Sequence, residues 1–244
     1  MAGADRGAAL VTGGAKRIGR ALVIAAADAG FDVAIHVRSV DDAAETAAAE
    51  VRARGRKAAI LPCDLRKEST TVALVGEAEA ELGPITLLVN SASVFEEDAF
   101  SDMNRASWDA HMETNLRAPL VLAQTFARRL PASREGLIVN ILDQRVLRPT
   151  PEFFSYTLSK AALWDATKIL AQALAPRVRV NAIGPGPTLA STYQDQAAFD
   201  AEAGATPMRR PVTPGEIGQA LRYLIDATAV TGQLIAVDSG QHLA

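Results

Sequence analysis

A single cysteine, Cys63, leaves this chain no intrachain disulfide, and points to a reducing, cytoplasmic setting. There is no basic excess: 25 Lys and Arg stand against 28 Asp and Glu, for a net charge of -3. Nothing in that balance attracts nucleic acid or a membrane surface. The run Ala21–Ala27 ends at Asp28 and is too short to span a bilayer. The opening stretch Met1–Gly7 carries no signal-peptide core. His36, His111 and His242 lack metal-ligand spacing, so as metal candidates they read as surface or packing residues. No linker, internal repeat or low-complexity tract divides the chain, and residues 1–244 read as one domain.

What is present is an alternation. Short Val/Ile/Leu-rich runs fall at Ala8–Thr12, Asp32–Val37, Lys57–Pro62, Ile85–Asn90, Gly136–Leu142, Arg177–Ile183 and Leu234–Val237. Between them lie amphipathic stretches at Arg17–Ala29, Asp41–Arg54, Lys67–Leu82, Ser107–Leu130, Tyr156–Leu174 and Pro214–Ala227. The runs are continuously apolar, as in strands covered on both faces. This pattern predicts an α/β fold, a doubly wound parallel sheet with helices on both faces. The abundant alanine suits helices packed closely on a sheet. The least regular stretch spans residues 184–210; it is long for a connection and reads as a lid, around 187–210, over a site.

Three segments carry chemistry. Tyr156 and Lys160 are four residues apart, one turn along the same helix face. A free tyrosine titrates near ~10, and a neighbouring ammonium is expected to favour the phenolate and lower that value. The first strand-to-helix turn, Thr12-Gly13-Gly14-Ala15-Lys16-Arg17-Ile18-Gly19, suits a pyrophosphate at a helix N-terminus. The second strand ends His36-Val37-Arg38-Ser39, with no acid before Asp41. An NAD site usually places an acid there for the ribose 2′-OH. Its absence, with Arg38, Ser39 and Arg17 available for a 2′-phosphate, favours NADPH over NADH.

With these motifs the chain resembles the short-chain dehydrogenases/reductases over essentially its full length. The matching residues are Gly13 to Gly19, Asp64-Leu65, Asn90-Ser91-Ala92-Ser93, Asn115, Tyr156 with Lys160, Gly184-Pro185-Gly186, and Thr231-Gly232 with Val237-Asp238. The resemblance implies a seven-stranded Rossmann-type sheet in a homotetramer or dimer. It implies Tyr156 as proton donor, Lys160 at the nicotinamide ribose, Asn115 ordering a relay water and Asp64 at the adenine. Lys16, Arg17, Ile18, His36, Leu65, Asn90, Ser91, Ala92, Pro185, Gly186 and Thr188 would complete the cofactor contacts.

Two positions depart from that family. Ser93 ends the Asn-x-Ala-x motif, and Asp143 stands where a serine is expected thirteen residues before Tyr156. A carboxylate cannot donate to a developing alkoxide unless protonated. The departures, together with Lys16-Arg17, His36-Val37-Arg38-Ser39 and Phe95, resemble the pteridine reductases and the bacterial dihydromonapterin reductase-like group. That narrower resemblance implies a pterin-like substrate held by Ser93, Phe95, Asp143 and Tyr156, with Phe95 stacked on the ring. Phe95 reads equally as a loop aromatic packed into the core. A carbonyl reductase of another small substrate, and a non-catalytic NADP-binding protein, remain as alternatives.

Overall fold

Among the described residues, seven parallel strands make one sheet in the order β3-β2-β1-β4-β5-β6-β7. They are β1 (Ala8–Thr12), β2 (Asp32–Val37), β3 (Ala58–Pro62), β4 (Ile85–Asn90), β5 (Gly136–Ile141), β6 (Val178–Pro185) and β7 (Leu234–Val237). This is a computed structural model, and it describes residues 6–244; Met1–Asp5, part of the stretch read for a leader, lie outside the described residues. The order reverses between β1 and β4, which makes their C-terminal ends the place for a ligand crevice.

The pleat sends alternate residues into two cores. Ala9 and Val11 of β1 join one cluster with Leu22, Val23, Ala47, Ile217 and Leu221. Ala8 and Leu10 join the other with Leu74, Leu122, Phe126 and Ala171. The first layer is built by α1 (Arg17–Asp28), α2 (Asp42–Ala53) and α8 (Pro214–Asp226), the second by α3 (Glu68–Leu82), α5 (Ala118–Arg129) and α6 (Phe154–Leu174). Two shorter helices, α4 (Arg105–His111) and α7 (Gln196–Ala205), complete the α-helices of the described residues.

The long helix expected at Ser107–Leu130 is not continuous. A π-helical turn, Met112–Arg117, separates α4 from α5 and carries Asn115. Such turns insert one extra residue and re-aim side chains. The stretch expected to be irregular contains α7, capped by the Asp195 carboxylate on the Ala198 amide. Among the described residues no helix is long and apolar enough to cross a membrane.

Candidate active site

The glycine turn is braced from three sides. The Thr12 hydroxyl accepts from the Ser91 and Ala92 amides at 2.9 and 3.0 Å. Gly13 has φ +64°, and a Cβ there would stand 2.9 Å from the Ala92 Cα. Its N–H donates to His36 Nδ1 at 3.2 Å, while His36 Nε2 lies 2.9 Å from the Cys63 carbonyl oxygen. The two partners fix the proton on Nε2, and burial lowers the His36 pKa, which keeps the ring neutral. A Cβ on Gly19 would sit 2.0 Å from the Gly13 carbonyl oxygen. Gly19→Ala is therefore expected to destabilise the fold by about 1–3 kcal/mol, read as a lower denaturant midpoint; an unshifted midpoint would show that the turn can move aside.

Lys16 caps α1 without a side-chain hydrogen bond, and the first turn holds no acid. The leading N–H groups and positive end of the helix dipole thus face a cavity of about 620 Å³ lined by Gly13, Lys16, Ile18 and Gly19. This donor set fits a pyrophosphate. Arg17 holds φ +51°, a left-handed conformation costly for a non-glycine residue. Its guanidinium donates to the Leu189 and Ala190 carbonyls, both at 3.0 Å. It is thereby directed to the stretch that follows β6, away from the end of β2.

Beyond β2, Arg38 and Ser39 are exposed. The first acid after them, Asp41, is committed elsewhere: it caps α2 through the Ala44 amide and pairs with Lys16 at 2.6 Å. Asp64, expected at an adenine, turns to Arg66 at 2.9 Å, and that hydrogen bond holds its carboxyl at about 2. Leu65 packs into the second core, and Asn90 donates to Asn140 at 2.8 Å. His36, Arg38, Ser39, Asp64, Leu65, Asn90 and Asn115 do not line the cavity. Ser91, Ala92, Ser93, Phe95, Asp143, Tyr156, Lys160, Pro185, Gly186 and Thr188 do.

At the centre, the Tyr156 hydroxyl donates to Asp143 Oδ2 at 2.9 Å. The other carboxylate oxygen accepts from the Arg145 amide at 2.9 Å, an Asx-type turn that aims Oδ2 at the phenol. Burial raises the Asp143 pKa. Lys160 Nζ donates to the Ile141 carbonyl at 2.8 Å and lies 5.7 Å from the Tyr156 ring centroid. Burial lowers Lys160 to about 8. The expectation that Lys160 lowers the Tyr156 pKa is corrected: burial first, then the Asp143 charge, pushes it well above its ordinary value. The phenol stays protonated and is a donor.

Phe95 stands in the cavity wall, not in either core. Its ring stacks on Phe153 at 4.2 Å and meets Tyr156 edge-on at 4.7 Å. Tyr193 closes the cluster, 6.1 Å from Phe95. The Arg145 guanidinium lies 5.3 Å from the Phe153 centroid. Arg145, Phe153 and Tyr193 escaped the sequence reading. The signals available were small: Arg145 lies two residues past Asp143, and Phe153 three residues before Tyr156. In the stretch that follows β6, Glu202 accepts from Gln194 at 2.6 Å and from Gln241 at 2.8 Å. The Thr188 hydroxyl is turned back on the Gly186 carbonyl at 2.9 Å.

Asn115 works from behind the wall. Its Oδ1 accepts from the Val94 amide at 2.8 Å and the Ser93 hydroxyl at 3.2 Å. Its Nδ2 donates to the Val94 carbonyl and to Ser159. The side chain expected to order a relay water is engaged in holding the Ser93–Val94 backbone.

The sequence pattern of the short chain dehydrogenases matches residues 7–201. Among solved structures, FolM alternative dihydrofolate reductase 1 from Brucella suis, in complex with NADP, is 47% identical with a TM-score of 0.93, covering 97% of this chain and 95% of that one. The Brucella canis counterpart, also complexed with NADP, is 46% identical with a TM-score of 0.90, covering 97% and 94%. Nodulation protein G of Rhizobium sp. (strain N33) is 34% identical over 238 residues, 95% of each chain.

Proposed function

The chain belongs to the short-chain dehydrogenase family, and we propose that it is an NADPH-dependent reductase of a dihydropterin or dihydrofolate-like substrate. The observation that carries the substrate class is the Tyr156–Asp143 hydrogen bond inside the cavity. A ketone reductase needs a neutral donor beside the tyrosine for its oxyanion. A ring C=N needs a proton delivered to nitrogen, and a pterin also presents N–H groups that a carboxylate accepts. The NADP-bound FolM neighbours support the same reading.

In this proposal bound NADPH supplies the hydride to the ring carbon of the C=N bond. The α1 N-terminus would hold the pyrophosphate, Arg38 and Ser39 the 2′-phosphate, and Lys160 the nicotinamide ribose. Tyr156 gives its proton to the ring nitrogen, which balances the hydride. Asp143 accepts from Tyr156 before the step; with its raised pKa it is suited to take up a proton from solvent after the step and hand it on to the phenolate, which restores both groups. The Lys160 ammonium offsets the negative charge then shared by Tyr156 and Asp143. Lys160 is mostly charged at pH 7, and that support falls as pH rises through about 8. Phe95 offers the stacking surface. A cytoplasmic location and a homotetrameric or dimeric assembly belong to the same proposal.

Steady-state turnover of NADPH with a panel of dihydropterins, dihydrofolate and simple ketones tests the reading. Dihydropterins are expected to have the highest kcat/KM; ketone turnover without dihydropterin turnover would leave only the reductase, and NADPH binding without any turnover would leave a binding protein. For the cofactor, Arg38→Ala is expected to weaken NADPH by about 10- to 100-fold, the value of a charge-assisted hydrogen bond. NADH, which lacks the 2′-phosphate, should be nearly unaffected. Equal losses for both, measured as Kd, would remove Arg38 from phosphate recognition.

A further inference from the structure

We propose that His111 is a positioning residue for the substrate wall, acting through the segment Ser93–Asp98 and the Phe95 ring that it carries. For its substrate the proposal rests on the pterin reading above; for its geometry it does not. The segment has no regular secondary structure, yet it is laid out with the two-residue alternation of a strand. Ser93, Phe95 and Glu97 line the cavity. The intervening residues are held from behind. Val94 is clamped by Asn115. The Glu96 amide donates to His111 Nε2 at 3.1 Å. Asp98 accepts from the Ser155 amide at 2.9 Å and from the Ser155 hydroxyl. His111 and Asn115, four residues apart, thus replace a neighbouring strand with two side chains.

The protons in this relay run one way. The Glu96 N–H requires a lone pair on Nε2, so the His111 proton lies on Nδ1. Nδ1 faces the Ser155 hydroxyl at 2.6 Å, and that hydroxyl donates on to Asp98. His111 and Ser155 are fully buried and Asp98 nearly so. Burial lowers the His111 pKa, which keeps the lone pair available. Burial also works against charge on Asp98, and the hydrogen bonds from Ser155, with those of Ser107 and the field of His111, together hold the carboxyl below its ordinary range. Because Ser155 immediately precedes Tyr156, the relay joins the substrate wall to the first turn of α6. The edge-on contact of Phe95 with Tyr156 spans the same two elements.

Two substitutions separate the halves of the relay. In His111→Gln an acceptor remains near Nε2 and the Glu96 clamp is kept. In His111→Asn a donor remains near Nδ1 and the clamp is lost. His111→Asn is expected to raise the KM for a dihydropterin by about 2- to 10-fold, the equivalent of one net hydrogen bond to a partly buried amide. Its NADPH Kd should be unchanged, and His111→Gln should lie near wild type. In a Phe95→Ala background the His111→Asn effect on KM should vanish, because the residue acts through the ring that is gone. Additive effects, or equal losses in Gln and Asn, would overturn the proposal. A readout without substrate is nitrogen-15 NMR of the wild-type protein, in which His111 should carry its proton on Nδ1 and the Glu96 amide should be protected from exchange. An Nε2–H tautomer, or a Glu96 amide that exchanges as fast as in His111→Asn, would also overturn it. If the wild-type enzyme reduces no dihydropterin, the substrate reading fails and the NMR result alone still decides the role of His111.

Discussion

Tyr156→Phe is expected to cut dihydropterin turnover by about 10²- to 10⁴-fold, the usual contribution of a positioned general acid. The change removes one hydroxyl and almost no volume, so NADPH binding should survive. It also leaves Asp143 Oδ2 without the 2.9 Å donor it has now. The loss should therefore appear in kcat and kcat/KM together, as for an interaction made in the transition state. Lys160→Ala should behave differently, damaging turnover and cofactor binding alike. A Tyr156→Phe enzyme with near-normal kcat would remove the phenol from the chemistry and place the acid elsewhere in the cavity.

The second large effect is expected at Asp143, where two substitutions pull in opposite directions. Asn keeps the shape, but it offers one acceptor oxygen where Asp143 uses two, toward Tyr156 and the Arg145 amide, and it cannot carry a proton between states. Asp143→Asn should lower dihydropterin turnover by about 10²-fold or more, within the range of a lost acid–base group. Asp143→Ser restores a small neutral donor, and should raise turnover of a simple ketone while lowering that of a dihydropterin. Unchanged dihydropterin turnover in Asp143→Asn, with a gain on ketone in Asp143→Ser, would favour an ordinary carbonyl reductase.

The sheet was legible because its strands are short runs of Val, Ile and Leu covered on both faces. The limits expected for Ala8–Thr12, Asp32–Val37, Ile85–Asn90 and Leu234–Val237 are those observed. Helix α7 was not legible: Gln196–Ala205 is mostly alanine and acid beside a proline-rich stretch, and its burial rests chiefly on Phe199 and Ala203. The break at Met112–Arg117 was hidden because a π-turn keeps helical composition. Within the site, local motifs were legible and long-range partners were not. Tyr156 and Lys160 are neighbours on one helix, so their pairing shows in the spacing. The direction of the Tyr156 shift depends on burial and on an acid from another loop, and neither shows in that spacing. His111 read as a packing residue because its partner Ser155 is 44 positions away. Asp98 lies 57 positions before Ser155. The Arg17 contacts with Leu189 and Ala190 lie more than 170 positions along the chain and start from a left-handed backbone, and no sequence rule anticipates either.

The central claim is that hydride passes from bound NADPH to a pterin ring carbon while Tyr156 and Asp143 supply the proton to nitrogen. The most direct measurement is isotopic. NADPH deuterated on the transferable face of the nicotinamide is incubated with the enzyme and a dihydropterin, and the product is examined by mass spectrometry and NMR. Transfer of the deuterium to the ring carbon, with an unlabelled proton on the adjacent nitrogen, is the predicted result. An unlabelled product, or cofactor oxidised with the dihydropterin unchanged, would contradict the account.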